Sequence, residues 1–157
     1  ESVYYWDKSG GTGTRAVDLG SLANSQSPPT SAKIVLVSDN DRHVIAFGCN
    51  PENSTTQDPL LVRFSSQGAA NDWAASATNT AGDLTIGSGS EIVAAIETKQ
   101  QVLVFTDVSL HAMQFLGPPF TFGISVVSEN ITIASPLVLR FCWYSAAFTM
   151  HSSRLCV

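Results

Sequence analysis

The sequence predicts an all-β fold: consecutive antiparallel sheets of three to four strands, stacked as β-propeller blades into about two and a half units of an unclosed ring. Three observations predict it. Residues 33–47 (KIVLVSDNDRHVIAF) lie on residues 91–105 (EIVAAIETKQQVLVF) without a gap, at an offset of 58. Ile34 falls on Ile92, Val35 on Val93, Val44 on Val102, Ile45 on Leu103 and Phe47 on Phe105. Each copy holds two apolar strands around a polar turn, Asp39-Asn40-Asp41 in one and Glu97-Thr98-Lys99 in the other, and a strand repeat of this length marks a β-array. Helical periodicity is lacking, and the Ala-rich stretch 68–77 has room for a turn or two of helix at most.

Taken in order, residues 2–6 (SVYYW) favour a short strand, and the Gly-rich turn Ser9–Gly13 connects it to a second, residues 15–19. The turn has no GK[ST] ending and no helix pattern after it, so a hairpin connection is expected rather than a phosphate loop. Residues 20–32 are Ser/Pro-rich and read as a loop between sheets. The first full unit has strands at 33–37, 43–48, 60–64 and 82–87. The second has strands at 91–96, 101–106 and 109–115. A loop seven residues shorter drops the offset there from 58 to 51, which gives Phe115 the part of Phe64. The repeat extends backward more weakly: Trp6 lies 58 residues before Phe64. The chain therefore divides into the end of one blade (1–20), a full blade (33–87), most of the next (91–126), and the start of a further strand with a divergent tail (127–157).

Such sheets have two apolar faces, each buried only against a neighbouring sheet. Val102 and Val104 are expected on one face, Leu103 and Phe105 on the other. A closed ring needs roughly four to eight sheets, so this chain alone does not close one.

Apolar residues make up 44% of the chain and charged residues only 13%, against roughly 25% in ordinary soluble domains. So sparse a charge predicts a surface largely covered by other protein. The net charge is −5 and the eight basic residues are scattered singly, which leaves no nucleic-acid footprint. Cys49, Cys142 and Cys156 have no metal-type spacing, and free thiols are the simplest reading. Residues 131–150 are apolar enough to raise a membrane span, but Pro136 and Arg140 argue against one. Glu1 reads as a cut end, with no signal segment following it.

Candidate chemistry is thin. His43 and His111 are expected in strands, and neither has a second ligand at metal spacing; His151 lies in the divergent tail. Asp39-Asn40-Asp41 lacks the Gly and distal Glu of a calcium loop and reads as a hairpin turn. No Gly-x-Ser-x-Gly elbow supports a serine nucleophile. Asp58, Asp72, Asp83 and Asp107 lie in loops or at strand ends, and sequence shows no glycosidase-like pair among them. Asn53-Ser54-Thr55 and Asn130-Ile131-Thr132 match the glycosylation pattern, read here as coincidence. Trp73 offers a ring for sugar stacking, but a lone Trp in a Gly/Ala loop is more simply the plug that pins the loop to the sheet. No catalytic, cofactor-binding or metal-binding residue is assigned.

The runs DPLLVRFSSQGAANDWAASATNTAGDL (58–84), GSEIVAAIETKQQVLVFTDVSLHAMQFLGPPFTFG (89–123) and SENITIASP (128–136) resemble a family of bacteriophage and prophage virion proteins. The shared order is Asp-Pro-hydrophobic-Arg, Asn-x-Trp, hydrophobic-Thr-Asp, Met-Gln-Phe, Gly-Pro-Pro-Phe, and it covers residues 33–136. The family comprises tail nozzle or head-to-tail stabilisation proteins of short-tailed phages, with a propeller-like core. After Pro136 the pattern departs from the family, as expected of a truncated or frame-shifted product. The resemblance implies a non-enzymatic virion component without cofactors, a homo-oligomeric ring touching other tail and connector subunits, with DNA passing through without sequence-specific binding. The loops at 49–59 and 65–82 are expected to make subunit contacts. Two other classes stay open: a propeller-type module recognising a host glycan or receptor, and a propeller glycoside hydrolase fragment, for which Asp72 and Asp107 are the residues to change.

Overall fold

The computed structural model describes residues 2–117, 119–131 and 133, and in them the chain is built almost wholly of antiparallel strands. A two-stranded ribbon opens it, β1 (Tyr4–Tyr5) paired with β2 (Val17–Asp18). Single 3-10 turns follow each strand, Lys8–Gly10 and Leu19–Ser21. Each is started by an aspartate, Asp7 or Asp18, whose carboxylate accepts a backbone N–H of the turn. The ribbon's large side chains stay open to solvent, with Tyr4 65%, Trp6 45% and Val17 42% exposed.

The first four-stranded sheet runs β3 (Ala32–Val37), β4 (Val44–Cys49), β5 (Leu61–Phe64), β6 (Gly82–Thr85), each strand beside the next. The second runs β7 (Ile92–Glu97), β8 (Val102–Thr106), β9 (Ser109–Gly117), β10 (Thr121–Glu129) in the same order. Both are simple meanders. The second is therefore complete, and not the partial sheet its sequence predicts. The signal for β10 was present in the alternation Phe122, Ile124, Val126, all on one face.

Two finer expectations are corrected. Hairpin β3–β4 turns through a four-residue loop closed by Ser38 N–H to His43 O, whereas β7–β8 turns through Lys99-Gln100 alone, closed by Thr98 N–H to Gln101 O. The ungapped alignment hides this difference in register. The slip is by an even number of residues, so each side chain keeps its face. Second, Phe115 does not take the part of Phe64. Phe64 stands opposite Ile45, and opposite Leu103, which is 58 residues beyond Ile45, stands Ala112. Both phenylalanines pack on a third instead: the rings of Phe64 and Phe115 lie 4.9 and 5.5 Å from the ring of Phe122.

The faces sort cleanly. Ile45, Phe47, Val62 and Phe64 of the first sheet and Ile92, Val102, Val104, Met113 and Phe122 of the second form one buried cluster with Ile86. On the opposite face of the first sheet, Ala46, Cys49 and Leu61 form a second cluster with Leu19, Ala32 and Trp73. Equivalent strand positions keep the same direction in the two units, so unlike positions meet between the sheets. Ile45 and Phe47 look toward the second sheet, while Val102 and Val104, equivalent to Val44 and Ala46, look back toward the first. Gly82 stands opposite Phe64 because a Cβ there would come within 2.9 Å of the ring.

Truncating a ring in the shared cluster leaves a cavity that the close-packed sheets fill poorly. Phe47→Ala and Phe122→Ala are each expected to cost about 3–5 kcal/mol in urea unfolding. Leu116→Ala, at a position 60% exposed, should stay within about 0.5 kcal/mol of the parent.

Candidate functional site

A row of polar contacts lies along the line where the two sheets meet. Residues near the starts of the equivalent strands pair: Lys33 Nζ lies 2.6 Å from Glu91 Oε2, across a separation of 58 residues. At the other end of the strands the Asp39 N–H donates to Glu97 Oε1 at 2.8 Å, again 58 residues away. Next to it Asn40 Nδ2 donates to the Lys99 carbonyl at 2.9 Å. In the first two contacts the partner is the residue's own counterpart in the next unit, and Asn40 reaches one residue past its counterpart Thr98. A narrow crevice between the hairpin turns is lined by Ser38, Asn40, Asp41, Glu97, Thr98 and Gln101. An open recess at the opposite end is bordered by Lys33, Gln57, Pro59 and Glu91.

His43 closes the seam. It precedes β4 in the turn rather than lying in a strand, is fully buried, and packs 5.0 Å from Phe122 and 5.5 Å from Phe115. Its Nε2 lies 3.1 Å from Thr80 Oγ1, and Nδ1 has no hydrogen-bond partner. Burial lowers its pKa, against a smaller opposing pull from Asp41. His111 sits on β9 as expected, with Nε2 3.1 Å from Ser88 Oγ and 2.8 Å from Ser109 Oγ; burial lowers its pKa as well. A serine beside a histidine invites a nucleophile reading. Here one nitrogen serves two hydroxyls, Ser109 is buried, and the nearby Asp107 carboxylate binds Ser90 N–H and Oγ. Those bonds, not an imidazole, hold the Asp107 pKa low.

The other singled-out residues are ties within the fold. Arg63 is buried on backbone carbonyls, donating to Asn50 O, Ser27 O and Trp73 O at 3.3, 2.6 and 3.3 Å. Trp73 is the plug expected of it, 1% exposed, with Nε1 donating to Ala70 O. It is therefore withdrawn from any partner that the 65–82 loop might meet. Asn71 Nδ2 donates to Ala23 O, Asp58 Oδ1 accepts from Leu60 N–H, and Gln57 Nε2 binds Gly48 O. Asp72 Oδ2 accepts from Asn79, while its buried Oδ1 has no partner. Asp39-Asn40-Asp41 forms the expected turn, with Arg42 N–H on Ser38 O. Asn53 and Asn130 both adopt positive φ in exposed turns, and Asp83 lies in β6. Cys49 is a free thiol, pushed up to about 11 by burial, and so stays protonated. Among the described residues no cluster of three or more His, Cys, Asp or Glu is arranged to hold a metal, and no helix is long and apolar enough to cross a membrane. Cys142, Cys156, His151 and nearly all of the candidate span 131–150 lie outside the described residues.

What sequence reasoning missed is the seam. Glu91, Glu97 and Lys33 look like ordinary surface charges one by one; their signal was that each sits at an aligned repeat position or directly across from one. Compared with known proteins, the chain matches no family model and no curated protein.

The two buried imidazoles set a pH dependence. Both have folded-state pKa values below the 6.5 of a free histidine, so below that pH the unfolded chain takes up protons more readily. Stability is full above about pH 6.5 and declines as pH falls toward the folded-state values. The urea midpoint should drop between about pH 7.5 and pH 5, a window above the carboxylate titrations. His43→Phe, which keeps a ring in the aromatic cluster, should shrink that drop; an undiminished drop would count against His43 as a source.

Proposed function

We propose that the chain is a non-enzymatic structural component of a phage virion, part of a tail tube, nozzle or head-to-tail connection of a short-tailed phage, in which sheets stack as propeller blades. The observation that carries this reading is how the resembling residues are used. Asp58, Arg63, Asn71, Trp73, Thr106 and Asp107 all make hydrogen bonds within the fold, and Met113 and Phe115 fill or border the seam. A motif spent largely on internal contacts fits a load-carrying ring element. Tandem four-stranded meanders that touch at matching positions also fit a radial array.

In this role the chain works by shape and charge. Stacked sheets give a stiff wall, and neighbouring copies and other tail subunits extend it. The net charge of −5 repels DNA phosphates, so a genome leaving through the lumen slides without sequence-specific contacts. The protein would assemble in the host cytoplasm and reside in the virion. Two experiments test this. Mass spectrometry of purified particles should find peptides of this chain, and gold-labelled antibodies against it should mark the tail end. Particles free of the chain would refute the proposal, whereas portal and tail genes beside its own would strengthen it.

A further inference from the structure

We infer that the β3–β4 turn is a latch released by acid: His43, seated between the two sheets, holds the turn against the second sheet while its imidazole is neutral and lets it go once protonated. The turn, residues 38–43, carries backbone strain at Arg42, which adopts a φ of 54° without being a glycine. Two hydrogen bonds join it to the second sheet, Asp39 N–H to Glu97 Oε1 and Asn40 Nδ2 to the Lys99 carbonyl, and both are exposed. A third joins it to the 65–82 loop, Gly68 N–H to Arg42 O at 2.7 Å. Exposed bonds compete with water and hold a strained turn only weakly. The buried ring is the firmer anchor, because it touches all three parts of the joint. It lies 6.5 Å from the Phe64 ring of the first sheet, 5.5 and 5.0 Å from the Phe115 and Phe122 rings of the second, and reaches Thr80 of the loop through Nε2.

That seat takes a neutral imidazole and rejects a charged one. A protonated ring carries two N–H donors. Nε2 has Thr80 Oγ1 within reach at 3.1 Å, an oxygen that already accepts the Gln67 N–H, and the buried Nδ1 has no hydrogen-bond partner. The phenylalanine rings attract a cation but replace only part of its lost hydration. Asp41 of the same turn pulls toward the charged form, and burial outweighs that pull. The Asp41 carboxylate is shared with Ser38 Oγ, and Arg42 beside it is exposed. Arg63 of β5 stands opposite Ala46, on the other face of the first sheet, and is bound to carbonyls. Glu97 and Lys99 meet the turn at Asp39 and Asn40, and β9 and β10 contribute the uncharged Phe115 and Phe122. Acid therefore draws the ring out to water, and a fully buried ring leaves only if the turn moves with it. Closure is complete above about pH 6.5 and weakens by up to about tenfold for each pH unit below it. Release relaxes the strained turn, uncouples Thr80 and opens an apolar seat lined by Phe64, Phe115 and Phe122.

The latch is a property of the fold and does not depend on the virion role. It differs from a general loss of stability in leaving both sheets folded. Nuclear magnetic resonance of the full chain between pH 7.5 and pH 5, a window above ordinary carboxylate titration, tests it. As His43 titrates, cross-peaks from its ring to the Phe115 and Phe122 rings should fade. Protection of the Asp39 and Gly68 amides against hydrogen exchange should fall by about tenfold per pH unit. The Phe64–Phe122 cross-peak, the protection of the β4 and β8 amides and the far-UV circular dichroism should all persist. H43F should keep the Asp39 and Gly68 amides protected at pH 5; H43M, a flexible apolar filler of the same seat, serves if H43F does not fold. Turn contacts that last to pH 5 in the parent chain would overturn the inference. So would release at the same pH in the variant, or release that coincides with loss of the Phe64–Phe122 cross-peak and of the strand signal.

Discussion

A sheet that is apolar on both faces has to be covered twice, and that requirement organises this molecule. Each of the two meanders presents large side chains above and below its plane. One face of the first sheet is covered by the second sheet, through Ile45, Phe47, Val102 and Val104. The other is covered by the N-terminal segment and the Trp73 loop, through Leu19, Ala46 and Leu61. The hydrophobic effect decides the arrangement, since fully burying one Phe or Ile is worth about 1.5–3 kcal/mol. Exposed ion pairs such as Lys33–Glu91 contribute at most about 1 kcal/mol and set the alignment of sheets already held together by their side chains.

The polar residues serve the same end by a different route. Arg63 crosses beneath the first sheet to collect three carbonyls from separate segments. Asn50 accepts from Thr30 and Ser31 N–H through one oxygen and donates to Pro51 and Ser54 carbonyls. Thr106, Ser109, Ser88 and His111 form a chain of hydroxyls and one imidazole under the β8–β9 turn. Leaving any of these groups buried and unpaired would cost roughly 1–3 kcal/mol.

Much of this was readable in advance. Seven of the eight strands of the two sheets follow from alternation and turn residues, because a half-buried strand writes its burial into every second position. Trp73 was readable as a plug from its isolation in a small-residue loop. The eighth strand follows Pro118-Pro119, and two prolines, which lack backbone donors, signal a strand end in the sequence although Phe122, Ile124 and Val126 alternate just beyond them. Other features are not encoded locally. The pairing of Phe64 with Ile45 but of Ala112 with Leu103 depends on how β9 slides against β8, and no single strand contains that information. Nor does sequence say that His43 leaves its strand to sit among Phe64, Phe115 and Phe122, which come from both sheets.

The account stands or falls on the two meanders sharing one core. Aromatic nuclear Overhauser spectroscopy reads this directly, since protons of rings whose centres lie 4.9 Å apart are close enough to exchange magnetisation. Strong cross-peaks are predicted from the Phe122 ring to the Phe64 ring, with a further peak to the His43 ring across the seam. Cross-peaks confined to partners within one sheet, with none joining Phe64 to Phe122, would contradict it.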